Sequence, residues 1–137
     1  MRTTPETVAL GPDPLTLDPI SRSALALFAG ASGDHNPIHI DIDVARAAGF
    51  GDVFAHGMLS MAYLARMLAR WVPQERIRSY GVRFAAVTPL GAKPTCSGTI
   101  IGIEDGIATV DLLVRLEDGT VTLSGTATVE LMPEVLR

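Results

Sequence analysis

The chain has 137 residues, a length that fits one domain of roughly 100–150 residues with its own core. Eleven basic and fifteen acidic residues give a formal net charge of −4 without a basic run, which argues against nucleic acid as a partner. Apolar residues make up 47% of the chain and charged residues 19%, a balance that predicts apolar surface covered by another subunit.

Cysteine content and hydropathy indicate the compartment. Cys96 is the single cysteine, which excludes an internal disulfide and a cysteine metal cluster and favours a reducing, cytoplasmic setting. The first 14 residues contain three prolines and no apolar signal core, and the longest apolar helix candidate is interrupted by Arg66 and Arg70. We therefore expect neither a secretory signal nor a membrane span.

The chain opens with a lead, residues 1–14, in which a short strand is possible at 7–10. Asp18-Pro19 then has the pattern of a helix N-cap followed by proline at the first helical position. Apolar residues recur at helical spacing after it and glycines follow, so the pattern predicts a first helix over 19–31.

Two further helices are predicted before residue 73. A short one over 43–48 has Asp41 or Asp43 as its cap and is ended by a glycine-rich break. A long one over 57–72 carries apolar residues on nearly every side of its first three turns, so we expect it to be buried on most sides. Its methionines, Met58, Met61 and Met67, are expected to fill the core, although side chains this flexible could also line a ligand tunnel.

Beyond Pro73 the hydrophobic period changes to two, which predicts four strands at 77–87, 95–103, 107–116 and 121–131. Asp105-Gly106 and Asp118-Gly119 are hairpin signals, so the last three strands should form an antiparallel meander. A curved antiparallel sheet wrapped around the long helix would bury both patterns, which is an α+β arrangement.

The loop Ser32-Gly33-Asp34-His35-Asn36-Pro37-Ile38-His39 joins the first two helices. Its glycine, asparagine and proline favour a defined turn that gives Asp34 and His39 a common focus. With reference pKa values of about 3.9 and 6.5, the two residue types supply an anion and a neutral base that together could activate water. Alternatively, Asp34 only caps the turn and His39 is a half-buried side chain with satisfied hydrogen bonds; the spacing alone allows both interpretations.

Together with His56-Gly57-Met58, this loop resembles the MaoC-like (R)-specific enoyl-thioester hydratases and 3-hydroxyacyl-thioester dehydratases, the hydratase 2 type. The Gly-Asp-x-Asn-Pro-x-His signature is the most specific part, and residues 80–90 look like the strand and proline turn that follow in the family. The resemblance covers about residues 15–131. It implies a single hotdog domain over 1–137, with a sheet wrapped around a long central helix and 1–14 as a poorly defined lead.

The resemblance also implies roles for particular residues. Asp34 and His39 would hold the catalytic water, Asn36 would orient them, and the Gly57 N–H would polarise the thioester carbonyl. A free amide at a helix N-terminus suits a developing enolate oxygen, so that role has a physical basis. The reaction implied is reversible hydration of trans-2-enoyl thioesters to (R)-3-hydroxyacyl thioesters, without a cofactor.

Three weaker candidates lie nearby. His56 is expected to make a structural hydrogen bond at the start of the long helix. Ser60 is within reach of the site, but we expect its hydroxyl to bond back to the helix. Some relatives carry a serine further along this helix, where this chain has Ala65 or a neighbour. His35 and Asp41 complete an acidic and histidine-rich strip, yet the family works without metal, so we expect none.

The substrate is expected to be an acyl-CoA or an acyl-carrier-protein thioester. A thioesterase and a non-catalytic acyl-thioester-binding subunit are the alternatives, the first disfavoured by the complete signature. The short length and the apolar helix predict a homodimer formed by edge pairing that extends the sheet, or a heterodimer with a related hotdog chain in which this chain is the catalytic half.

Overall fold

The computed structural model describes residues 11–131. Its helices are α1 (Arg22–Ser32), α2 (Ile42–Ala47) and α3 (Gly57–Trp71), with 3-10 turns at Pro37–His39 and Gln74–Arg76. Its strands are β1 (Leu15–Thr16), β2 (Ile77–Phe84), β3 (Thr95–Glu104), β4 (Ile107–Arg115) and β5 (Val121–Glu130). The strand considered at 7–10 lies outside the described residues.

The five strands form one antiparallel sheet in the order β1-β3-β4-β5-β2. Asp105 and Gly106 have φ values of 50° and 76° in the turn between β3 and β4, which is the left-handed conformation that a tight hairpin requires. The expected meander and the α+β arrangement are confirmed. The two-residue strand β1, which pairs with the start of β3, was not predicted.

Helix α1 begins three residues later than its sequence predicts. Ser21, rather than Asp18, is the N-cap, and its Oγ accepts a hydrogen bond of 3.1 Å from the Ala24 N–H. The N–H of Ile20 donates instead to the Ala92 carbonyl at 2.9 Å, so tertiary pairing keeps this residue out of the helix. The helix ends at Gly33, whose φ of 78° allows its N–H to bond the Ala29 carbonyl.

Strand β2 ends at Phe84, three residues before the predicted end. The N–H groups of Ala85 and Ala86 both point to the Thr122 carbonyl, at 2.8 and 3.3 Å, so the ladder with β5 stops there. The other three predicted strands begin and end within one residue of their expected bounds.

Helix α3 packs one side against the sheet. Leu64, Met67, Leu68 and Trp71 are buried in a cluster with residues of β3, β4 and β5. Met58 is 53% exposed, however, and Ala62 is also exposed, so the expectation of burial on most sides was wrong for this chain by itself. Within residues 11–131, no helix is both long and apolar enough to cross a membrane.

Candidate active site

The turn after α1 is built from successive side-chain to backbone hydrogen bonds. The Asp34 N–H donates to Ser32 Oγ, and the Asn36 N–H donates to Asp34 Oδ1, both at 3.2 Å. Asn36 Oδ1 then accepts from the Ile38 N–H at 3.1 Å and caps the 3-10 turn at Pro37–His39. These bonds hold an exposed Asp34 and a buried His39 at opposite ends of one short turn.

His39 is oriented by a backbone carbonyl of a distant segment. Its Nδ1 donates to the Phe54 carbonyl at 2.7 Å, and the Phe54 ring meets the imidazole edge-on. A proton held on Nδ1 leaves the lone pair of the neutral ring on Nε2. Asp34 therefore does cap the turn and His39 is hydrogen-bonded, yet these bonds do not use Nε2 of His39 or the second carboxylate oxygen of Asp34.

His56 joins the two residues. Its Nε2 donates to the Asp34 backbone carbonyl at 3.2 Å, and its ring stacks on the His39 ring with centroids 3.9 Å apart. Burial lowers the pKa of His56, which keeps the ring neutral at pH 7. His56 is the N-cap residue of α3 by position, but its side chain makes no capping bond; it supports the Asp34 turn instead.

Asp34, His39 and His56 each offer a donor atom, and these atoms all lie within 4.8 Å of one another. Donors of this kind suit a held water molecule or a divalent cation. His35 and Asp41, which the sequence placed in the same strip, do not belong to this group of residues. Asp41 instead caps α2, with its Oδ1 accepting from the Asp43 N–H at 2.9 Å.

Gly57 begins α3, so its N–H is among the helix-terminal donors that have no acceptor within the helix. It lines a cavity of about 520 Å³ together with Phe54, Met58 and Phe84. The Phe84 ring lies directly over the glycine: a Cβ at residue 57 would be 2.7 Å from Cδ1 of Phe84. Only a residue without a side chain leaves both the ring and the amide in this arrangement.

A second cavity, of about 420 Å³, is lined by Asp34, Ala65 and Tyr80 among others. Met58 lines both cavities, so the Asp34 carboxylate and the Gly57 amide belong to adjacent spaces. The Tyr80 hydroxyl donates to the Met61 carbonyl at 2.5 Å. Burial raises the pKa of Tyr80 well above its ordinary value, so this phenol stays protonated.

Ser60 is fully buried and lines neither of these two cavities. Its Oγ has no hydrogen-bond partner within residues 11–131, so the bond back to the helix that we expected is not made. The sequence-based interpretation of Ser60 as a back-bonded helix serine was therefore wrong.

Sequence reasoning missed the contributions of Phe54 and Phe84. Phe54 acts through its backbone carbonyl, which any residue carries, so the sequence holds no signal for it. The segment that contains it is held by an Ala55 N–H bond of 2.9 Å to the Thr88 carbonyl and by a bridge from Phe54 to Pro89. Residues 80–90 were singled out from the sequence as a strand and turn, and this turn is what supports the His39 acceptor.

The chain is similar to proteins of known family. A family model described as a MaoC like domain matches residues 3–120. The 3-hydroxyacyl-thioester dehydratase Z of Mycobacterium tuberculosis is 33% identical over 118 residues, which cover 82% of this chain and 72% of that protein. The (R)-specific enoyl-CoA hydratase of Rhodospirillum rubrum is 34% identical over 86 residues, 61% of this chain and 60% of that enzyme. Among solved structures, unliganded R-hydratase PhaJ1 from Pseudomonas aeruginosa superposes with a TM-score of 0.80 at 26% identity, covering 89% of this chain and 80% of that one.

Proposed function

The chain belongs to the MaoC-like domain family, and on that basis we propose that it is a hydro-lyase that adds water reversibly to trans-2-enoyl thioesters. The product is an (R)-3-hydroxyacyl thioester, and dehydration is the same reaction reversed. The observation that carries the proposal is the approach of donor atoms of Asp34, His39 and His56 to within 4.8 Å, next to the helix that begins at Gly57.

Water is the nucleophile in this proposal, held between Asp34 and Nε2 of His39. The Phe54 carbonyl keeps the proton on Nδ1 of His39, so Nε2 is ready to accept a proton from water as its oxygen bonds to C3. The Asp34 and His39 pair takes one proton from water and supplies one to C2, on the same face of the double bond. The pair ends the cycle in its starting protonation state.

The Gly57 amide is the electrophilic partner. As the C3–O bond forms, charge develops on the thioester carbonyl oxygen, and a free N–H at the positive end of a 15-residue helix stabilises that charge. The cavity beside Gly57 receives the thioester in this arrangement, and the cavity lined by Asp34 and Ala65 receives the neighbouring carbons. Asn36, which caps the turn that carries His39, serves as an orienting residue.

We propose a single hotdog unit with α3 as its central helix, assembled as a homodimer. The support is apolar surface at the mouth of the Gly57 cavity, where Met58, Phe84 and Val87 are 53%, 52% and 47% exposed. A heterodimer with a related hotdog chain is the alternative, with this chain as the catalytic half. The carrier of the acyl group is CoA or an acyl carrier protein.

The test is a panel of trans-2-enoyl and 3-hydroxyacyl thioesters on both carriers. Purified protein should hydrate the enoyl thioesters and dehydrate the (R)-3-hydroxy epimers, and the S epimers should be inert. Thiol release is followed in the same reactions, because a thioesterase would liberate free CoA without consuming the double bond. Thiol release without hydration, or no turnover of any enoyl thioester by folded protein, would contradict the proposal.

A further inference from the structure

Two polar atoms at the start of α3 are buried without a partner. His56 is 1% exposed and Ser60 is 0% exposed. Neither Nδ1 of His56 nor Oγ of Ser60 has a hydrogen-bond partner in the part of the chain that the structure describes, residues 11–131. A buried polar atom left unpaired costs free energy, so two of them one helical turn apart call for a physical explanation.

The two atoms are complementary in chemistry and close along the helix. Nε2 of His56 carries the proton that bonds the Asp34 carbonyl, so Nδ1 offers only a lone pair. Ser60 offers a hydroxyl that can donate to it. Ser60 lies in the first turn of α3, four residues after the N-cap residue His56, and helical side chains lean toward the N-terminus, which is the end where His56 lies.

We infer that Ser60 is a positioning residue whose hydroxyl donates to Nδ1 of His56, and that His56 in turn holds Asp34 and His39 in place. The inference rests on the proposed hydration only for its effect on turnover. The bond requires rotation about χ1 of Ser60 and a shift of the imidazole, because neither atom has a partner in the arrangement that the structure describes for residues 11–131. Both buried atoms are then satisfied by each other.

The consequence for the site is a fixed tautomer. With Ser60 donating to Nδ1, the His56 proton stays on Nε2 and continues to bond the Asp34 carbonyl. Without the hydroxyl, Nδ1 loses its donor, and only the bond from Nε2 to the Asp34 carbonyl still fixes the tautomer and orientation of the ring. The ring would also be freer to leave its stacked position 3.9 Å from the His39 ring.

Nitrogen NMR of protein labelled with ¹⁵N-histidine tests the bond without substrate. In Ser60→Ala, the Nδ1 signal of His56 should move toward the position of an unprotonated nitrogen that accepts no hydrogen bond. Ser60→Cys, nearly the same size with a weaker donor, should give an intermediate shift. The matched control is Thr122→Val, which removes another fully buried hydroxyl within the sheet and should leave the His56 signals in place. An unmoved Nδ1 signal in Ser60→Ala would overturn the inference.

Stability and turnover give two further readouts. Ser60→Ala should lower the melting temperature because Nδ1 loses its donor, whereas loss of an unpaired hydroxyl would raise it. A rise would therefore also overturn the inference. Turnover should fall about two- to tenfold in kcat with KM unchanged, which corresponds to the loss of one hydrogen bond. An unchanged kcat would overturn the positioning role. Absence of hydration in the unmodified protein would count against the proposed function alone, because the NMR and melting measurements need no substrate.

Discussion

Asp34 and His39 differ in burial and in the hydrogen bonds that hold them. Asp34 is exposed and gives one oxygen to the Asn36 N–H, whereas His39 is buried and fixed by the Phe54 carbonyl. In the proposed mechanism both are needed for proton transfer, which is typically worth about 10²–10⁴-fold. Asp34→Asn and His39→Ala should therefore each lower the rate of enoyl-thioester hydration by at least about a hundredfold while the protein stays folded.

The control for this pair is His35→Ala. His35 lies between the two residues in the same turn and is exposed, so its loss should leave the hydration rate close to that of the unmodified protein. Circular dichroism and melting curves establish that each variant is folded. Near-normal turnover in both Asp34→Asn and His39→Ala would contradict their assignment.

Gly57 combines a backbone donor with close packing against Phe84. In Gly57→Ala the N–H remains, but the new methyl group would lie 2.7 and 2.8 Å from two atoms of the Phe84 ring. Since Phe84 is 52% exposed, its ring can swing away, and we expect a folded variant with lower kcat/KM because the cavity mouth is rearranged.

A double variant, Gly57→Ala with Phe84→Ala, tests whether contact with the Phe84 ring causes this loss. Truncating the ring in Phe84→Ala removes the clash, so Gly57→Ala should cost less kcat/KM in that background than in the unmodified protein. Steady-state kinetics on all four proteins measure the difference. If the loss is equal in both backgrounds, contact with Phe84 is not its cause.

At the scale of secondary-structure elements, replacing either of two glycines by alanine should change the free energy of unfolding, with opposite sign at the two positions. At Gly125 in β5 a Cβ would lie 2.2 Å from the Gly81 carbonyl oxygen and 2.9 Å from the Val82 Cα. The backbone of β2 cannot move away without breaking its hydrogen bonds to β5, so Gly125→Ala should lower the free energy of unfolding by about 1–3 kcal/mol.

Gly30 lies inside α1, and a Cβ added there would have nothing within 4 Å. Gly30→Ala should therefore raise the free energy of unfolding by about 0.5–1 kcal/mol. Urea unfolding of both variants checks the pair; a stabilised Gly125→Ala would mean that β2 does not lie where the structure places it.

An ion pair ties the start of α1 to the segment before α3. Arg22 donates from both terminal nitrogens to Asp52, at 2.9 and 2.6 Å, and this hydrogen bond lowers the pKa of Asp52 below its ordinary value of 3.8. A carboxyl group with a lower pKa in the folded state stabilises the fold above pH 3.8, and this stabilisation is lost as pH falls through the folded pKa.

Asp52→Asn should therefore melt below the unmodified protein at pH 7, and the difference should narrow as pH falls below 3.8. Added salt should also reduce this difference in melting temperature at pH 7, because salt screens the attraction between exposed charges. Melting curves across pH and salt measure both effects. A difference that is constant across pH would assign the effect of the substitution to the neutral hydrogen bonds of Asp52.

Sequence patterns predicted most helices and strands correctly, because at those positions the local backbone preference matches the tertiary structure. Asp-Gly dipeptides marked the turns between strands, and Asp41 is the N-cap of α2 as one of the two predicted caps. The predicted start of α1 at Pro19 was wrong. The local preference for a helix start there is overridden by the hydrogen bond from the Ile20 N–H to the Ala92 carbonyl, which is distant in sequence. The turn with Asp34 and His39 was predictable from residues with special backbone behaviour. The stacking of His56 on His39 and the packing of Phe84 over Gly57 depend on where the sheet places them.

At the scale of the whole molecule, part of the exposed apolar surface lies at the proposed site. Met58, Phe84 and Val87 line one cavity, and Met58 with Ala62 lines the other. An apolar cavity mouth of this kind in an isolated chain is typical of surface covered by a partner. Strand β2, which ends at Phe84, is also an end strand of the sheet, where another strand can pair.

We therefore expect the purified chain to sediment as a homodimer and to be active by itself. Phe84→Glu should shift it toward monomer, because burying an unpaired carboxylate in an apolar contact is costly. Ile101→Glu is the matched control: Ile101 is 59% exposed on β3, away from β2 in the strand order, and its substitution should leave the sedimentation coefficient unchanged. A stable, active monomer would contradict the homodimer. An insoluble or inert chain that gains activity with a related hotdog chain would instead support the heterodimer, with Asp34, His39 and Gly57 contributed by this subunit.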